Sequence, residues 1–290
     1  MLLWRVLLIT LSAVSCVSNE HSFSDKVSID PITVSEEARR GETAFKQDGG
    51  VETFEKTLRI EWFSCTIGSQ RPQLVLLNPN MEALSRESAC QNPIAAEARV
   101  QGYNVLIINR PGQGQSSGPN RLGDEEAVLA ARRLVEQKKT QGYDIQGLWA
   151  YGEGSVEAFR LAKQFPFRFL VIGDGIYDLE KTLKDTKDPV FKARLDSLQS
   201  ELDRGSFVED RSIAWDFAGL PKEIILYHNN KNLQVSPEQA SAFKASLAAS
   251  EYKVELFIVD SEGVGLPGPF HRGLAQKILL KLKTSTPNSH

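Results

Sequence analysis

Three side chains of this 290-residue sequence make a reactive set if the fold brings them together. Ser155 offers a hydroxyl, His271 an imidazole and Asp174 a carboxylate, and each follows a strand-like run: Ile145–Ala150, Lys253–Val259 and Phe169–Ile172. A hydroxyl within reach of a base that is itself oriented by a carboxylate can attack an acyl carbon and form a covalent intermediate. Metal chemistry has no comparable set. Cys65 and Cys90 have no second cysteine or histidine at ligand spacing, and His21, His228, His271 and His290 are scattered, so no metal site is expected. No cofactor is expected either, because the glycine-rich stretch Asn109–Ser116 is not followed by the Gly-Lys-Ser/Thr of a phosphate loop and opens no fingerprint helix.

The elements that must position these groups alternate. Thr57–Cys65 alternates in apolar character as a half-buried strand does, and Gln73–Leu77 and Asn104–Ile108 are short continuous apolar runs suited to buried strands. Further strands are predicted at Ile145–Ala150, Phe169–Ile172, Glu223–Tyr227 and Lys253–Val259. Helical patterns fall at Ile94–Gln101, Asp124–Lys139, Glu153–Phe165, Pro237–Ala249 and about Arg272–Leu282. Such alternation predicts right-handed crossovers, a mainly parallel twisted sheet and helices on both faces. Ligand sites in such sheets lie at the carboxyl ends of the strands, so the loops after Leu77, Ile108, Ala150, Ile172, Tyr227 and Val259 are the ones that matter.

In the order of those loops the chain resembles the α/β-hydrolase superfamily over roughly Thr57 to Leu282. Asn109-Arg110-Pro111-Gly112-Gln113-Gly114-Gln115-Ser116 is similar to the family's Asp-x-Arg-Gly-x-Gly-x-Ser turn, matching at Gly112, Gly114 and Ser116. The family places its nucleophile on a strained strand-to-helix turn. Here that turn reads Ala150-Tyr151-Gly152-Glu153-Gly154-Ser155, which puts Gly152 at the nucleophile position, or Gly154 in a second register. Neither has a side chain. In the first register Ser155 points into helix–strand packing, and a reshaped elbow is needed to make it the nucleophile. The resemblance puts Asn232 at the position of the triad acid, with Asp174 as a carboxylate that can replace it, and His271 at the catalytic histidine. It puts the oxyanion donors at Asn80, Met81 and the amide of Glu153, since Pro79 has no N–H to give.

What the resemblance implies is therefore a hydrolase frame around an altered site. Loss of a catalytic serine alone lowers turnover by about 10⁶. The expectation is a non-catalytic member that binds a small-molecule ligand or a protein partner, as the hydrolase-like domains of neuroligin and thyroglobulin do. Two alternatives stay open: an active esterase that uses Ser155 with His271 and Asp174, and proton chemistry at His271 without a nucleophile. A charged helical insertion at 177–220, with Phe191, Leu195, Leu198 and Leu202 as its apolar stripe, falls where lids fall in the family.

Composition agrees with one large globular domain: 41% of residues are apolar and 24% charged. A net charge of −3 leaves no basic excess to neutralise phosphates, so nucleic acid is not expected as a partner. Residues 1–15 carry one charge, Arg5, ahead of the apolar run Val6–Val14, the pattern of a signal peptide. Ala13-Val14-Ser15-Cys16 resembles the bacterial lipobox, which implies an acylated Cys16 as the sole membrane attachment and a place in the bacterial envelope facing the periplasm. The same residues also suit ordinary secretory cleavage, which would leave a periplasmic or secreted protein. Residues 16–50 are expected to be a tether, 51–283 the hydrolase-like domain and 284–290 a flexible tail. An oxidising compartment favours a Cys65–Cys90 disulfide, although spacing alone does not fix it.

Overall fold

The computed structural model describes residues 44–55, 57–78, 83–201, 216–261 and 265–284. The signal peptide, Cys16, most of the tether, Pro79, Asn80 and Met81, Leu202 and the last six residues lie outside the described residues.

The described strands are β1 (Lys46–Phe54), β2 (Leu58–Thr66), β3 (Gln73–Leu77), β4 (Asn104–Ile108), β5 (Ile145–Tyr151), β6 (Phe169–Gly173), β7 (Glu223–Asn229) and β8 (Lys253–Val259). They form one sheet in the order β1-β2-β4-β3-β5-β6-β7-β8. β1 and β2 are antiparallel to their neighbours and β4 to β8 run parallel with β3, as the alternation of elements predicts. The described helices are α1 (Arg86–Ala89), α2 (Pro93–Val100), α3 (Glu125–Thr140), α4 (Gly154–Gln164), α5 (Leu179–Asp185), α6 (Pro189–Glu201), α7 (Pro237–Ala249) and α8 (Gly268–Thr284).

Successive side chains of a strand point to opposite faces, so each buried strand feeds two cores. Val75, Leu77, Ile108, Leu148, Ile172 and Leu226 pack with α3, α4 and α7, whereas Leu74, Leu76, Ile107, Trp149, Val171 and Tyr227 pack with α2 and α8. A third cluster joins Phe191, Leu195 and Leu198 of α6 to Leu179 and Leu183 of α5 and to Val156 of α4. The described part of the stripe predicted on the insertion, Phe191, Leu195 and Leu198, thus faces the body.

Two boundaries differ from the sequence reading by more than two residues. β1 begins at Lys46, inside the segment predicted as tether, because this edge strand is held by pairing with β2 and its side chains are only half buried, which leaves little apolar signal. α8 begins at Gly268 rather than Arg272, so His271 lies in its first turn with its amide bonded to the Pro267 carbonyl.

Cys65 of β2 and Cys90, just after α1, form a disulfide in the interior of the second core. It closes a loop with a sequence separation of 25, and cross-linking such a loop stabilises by about 3 kcal/mol through the unfolded chain. Unfolding in guanidinium with and without a reductant able to open the bridge should differ by about that amount. Equal stabilities would mean that Cys65 and Cys90 are not paired.

Candidate functional site

The turn after β5 has the geometry expected of the elbow. β5 ends at Tyr151, Gly152 takes φ +55°, and α4 starts at Gly154. The Gly152 amide bonds to Gly173 O across to β6, and Ser155 N returns to Gly152 O. A positive φ is cheap for glycine and strained for other residues. A Cβ built on Gly152 meets nothing within 4 Å, so the position is open. Gly154 is helical and lies against Arg110 and Ala150. Gly152 thus stands in the turn between strand and helix, and Gly154 in the first turn of the helix.

Ser155 is fully buried and its hydroxyl accepts the Ile176 amide at 2.8 Å, in the loop after β6. Asn232 is committed to its own loop, its Oδ1 accepting the amides of Gln234 and Val235 at 2.8 and 3.1 Å. Neither residue joins the group described next.

Asp174 is buried, in a left-handed conformation with φ +45°. One carboxylate oxygen accepts the Asn229 amide at 2.6 Å and lies 3.6 Å from Nδ1 of the buried His228. The other accepts the Tyr151 hydroxyl at 2.5 Å. Tyr151 Oη also accepts the Leu266 amide at 3.1 Å, and its ring meets the His271 ring edge-on at 4.7 Å between centroids. The phenol thus stands beside both the carboxylate and the imidazole.

His271 Nδ1 faces the Tyr227 hydroxyl at 3.4 Å, and that hydroxyl already accepts Trp149 Nε1–H at 3.1 Å. The Tyr227 hydroxyl and His271 Nδ1 thus share one contact, and the tautomer of the ring decides which of them donates. Burial pushes the imidazole down to about 4, although the Asp174 charge and a hydrogen bond with the Leu266 backbone pull the other way. Burial and the Asp174 charge also hold the Tyr151 phenol well above its ordinary range. At neutral pH the two phenols and the imidazole are neutral.

Trp149, Tyr151 and Tyr227 were not singled out in sequence as site residues, yet a signal was there. Trp149 and Tyr151 are two apart on β5 and so share the face that α8 covers. Tyr227 reaches them because its ring lies over Gly173, where any Cβ would collide with it. Tyr151 and Tyr227 then stack at 6.2 Å.

Behind the elbow sits a charged network. Glu153 is buried, bonded by Arg194 of α6 at 2.6 Å and 3.9 Å from Arg110, whose Nε donates to Asn78 O at 3.2 Å. The insertion is thereby pinned to the residue that follows Gly152. The loop from Asn109 to Ser116 is structural, with Ser116 donating to Asn109 O at 2.7 Å and accepting Glu61 N at 2.9 Å. Asn80 and Met81, the other expected oxyanion donors, lie outside the described residues. Among the described residues no group of three acids, histidines or cysteines is placed to hold a metal ion.

The sequence matches no protein-family model and no curated protein. Solved structures do match. The Pyrococcus furiosus esterase Pf2001 is 18% identical with a TM-score of 0.63, the alignment covering 89% of this chain and 98% of that one. A Mycobacterium tuberculosis puromycin-hydrolysing peptidase is 16% identical with a TM-score of 0.65, over 82% of this chain and 39% of the other. The Pyrococcus horikoshii acylaminoacyl peptidase is 13% identical with a TM-score of 0.64, over 85% and 42%. At such identities the likeness establishes the fold, and that fold is the α/β-hydrolase fold.

Glu157, one turn into α4, is buried with Oε1 unpartnered among the described residues, and burial pushes its carboxyl up to about 7 against the pull of Arg110. The folded state keeps a proton that the unfolded chain, near 4.5, gives up, so stability falls as pH rises from about 4.5 to 7. Glu157→Gln should match the parent closely in urea unfolding at pH 5 and exceed it by about 2 kcal/mol more at pH 8. The same difference at both values would contradict a raised Glu157.

Proposed function

We propose that this α/β-hydrolase-fold chain is a catalytically degenerate member that acts by binding a ligand or partner at the loops around Gly152, Tyr151 and His271. The observation that carries this reading is Gly152 itself, a residue without a side chain in the turn where the fold presents its nucleophile. The surroundings favour the same reading. Ser155 has its hydroxyl tied to a backbone amide, and Asp174 gives its free oxygen to Tyr151. His271 Nδ1, the nitrogen that a triad turns to its carboxylate, faces the Tyr227 hydroxyl instead. His271 acting alone as a base on water would bring only about 10² to 10⁴ in rate, and a base held near 4 is a weak one at neutral pH.

We further propose that the chain is exported and that Cys16 is its lipid anchor, so that the domain works at an envelope surface. The resemblance of Ala13–Cys16 to a lipobox supports this, and mass spectrometry of the mature N-terminus reads it directly. An unmodified Cys16 would reject the anchor.

The reading is tested by active-site labelling with a fluorophosphonate, applied to the parent, Ser155→Ala, His271→Ala and Gly152→Ser proteins. The parent should remain unlabelled, with neither alanine variant changing that. Gly152→Ser should gain slow labelling, because a hydroxyl then stands in the open elbow. Stoichiometric labelling of the parent that disappears in Ser155→Ala would overturn the proposal in favour of an active serine hydrolase.

A further inference from the structure

The opposite edge of the sheet holds the larger unexplained feature. A cavity of about 590 Å³ opens at the amino ends of four parallel strands, against Pro72 before β3, Tyr103 before β4, Asp144 before β5 and Arg168 before β6. That volume falls in the range of about 300–1,000 Å³ typical of small-molecule sites. It lies away from Gly152 and His271, which occupy the carboxyl ends of the same sheet.

Its charge is one-sided. Arg71, Arg99, Arg168 and Lys283 line it against a single carboxylate, Asp144, which already accepts Gln146 Nε2 at 2.7 Å. For a protein with net charge −3 this is a local reversal of sign. Helix ends account for part of it. Arg99 and Lys283 sit in the last turns of α2 and α8, where cations offset the carbonyl end of the helix dipole. Arg99 is also committed to Cys90 O at 2.9 Å and to the Phe45 ring at 3.8 Å. Arg71 and Arg168 lie in the loops ahead of β3 and β6, away from any helix end. The cations crowd each other: partial burial and the charge of Arg71 pull the Lys283 ammonium below its usual range, with only Glu97 opposing them, and Glu97 is shared with Arg272.

From this convergence of Arg71, Arg168 and Lys283 on one cavity we infer that the amino edge of the sheet is a binding site for a phosphate group. A dianion with three peripheral oxygens matches two guanidinium forks and an ammonium better than a single carboxylate does. The Gln101 carboxamide, which accepts Lys283 Nζ at 3.3 Å, holds that cation at the rim. Val100, nearly half exposed, adds an apolar lip beside it. Two sources carry such a group: a soluble phosphomonoester and the headgroup of an anionic phospholipid.

The test uses the full chain with Cys16→Ser, so that no acyl anchor contributes, and a variant that adds Arg71→Gln, Arg168→Gln and Lys283→Gln. All three side chains are exposed, and an unchanged melting temperature would verify that the fold is kept. Calorimetric titration with inorganic phosphate and with glycerol 3-phosphate forms one arm. Cosedimentation with phosphatidylglycerol vesicles, against phosphatidylcholine vesicles, forms the other. Saturable binding in at least one arm, weakened tenfold or more in the triple variant, is the expected result, and the responding arm identifies the source. No saturable binding in either arm, or equal binding by the triple variant, would overturn the inference. Neither outcome depends on what Gly152 and His271 do.

Discussion

A carboxylate buried beside the elbow has to be satisfied inside the protein, and at Asp174 that is done by Tyr151. The hydroxyl of Tyr151 and the amide of Asn229 together take both oxygens of the group, and an ionised carboxylate out of water is tolerated only when it is hydrogen-bonded in this way. Because the phenol occupies the oxygen on this side, the carboxylate does not hold the imidazole of His271. The ring turns instead to Tyr227, which is itself fixed by Trp149. Gly173 is part of the same device, since only a residue without Cβ leaves room for the Tyr227 ring across β6. One tyrosine next to Gly152 therefore takes the buried carboxylate and leaves Tyr227 as the partner of His271 Nδ1.

Much of this was legible in the chain. The buried strands announced themselves as continuous apolar runs, and Lys253–Val259 and Pro237–Ala249 fall where the pattern puts them. Gly152 and Gly154 marked the turn between β5 and α4, and the order of the loops placed it in the frame of the fold. The edge strand β1 was not legible, because its stability comes from backbone pairing, which leaves no mark in hydropathy. Asn232 was placed by pattern at an acid position, yet an asparagine two residues before Gln234 is also a turn residue, and that is the use the loop makes of it. The roles of Tyr151 and Tyr227 depend on which atoms meet across three strands, and no one-dimensional pattern records that.

The two edges of the sheet divide the molecule. At the carboxyl edge, neutral groups and paired charges gather around an open glycine, and the insertion is pinned there through Arg194 and Glu153. At the amino edge, cations outnumber acids around a cavity. A parallel sheet supplies both edges from the same strands. The site inherited with the fold and the one inferred beyond it can therefore work without sharing a residue.

The state of His271 tests the account most directly. Nitrogen NMR of its ring across pH should find a neutral imidazole at neutral pH, with a titration midpoint near 4. A midpoint above the ordinary histidine value of about 6.5 would show instead a carboxylate-bound triad base and contradict the account.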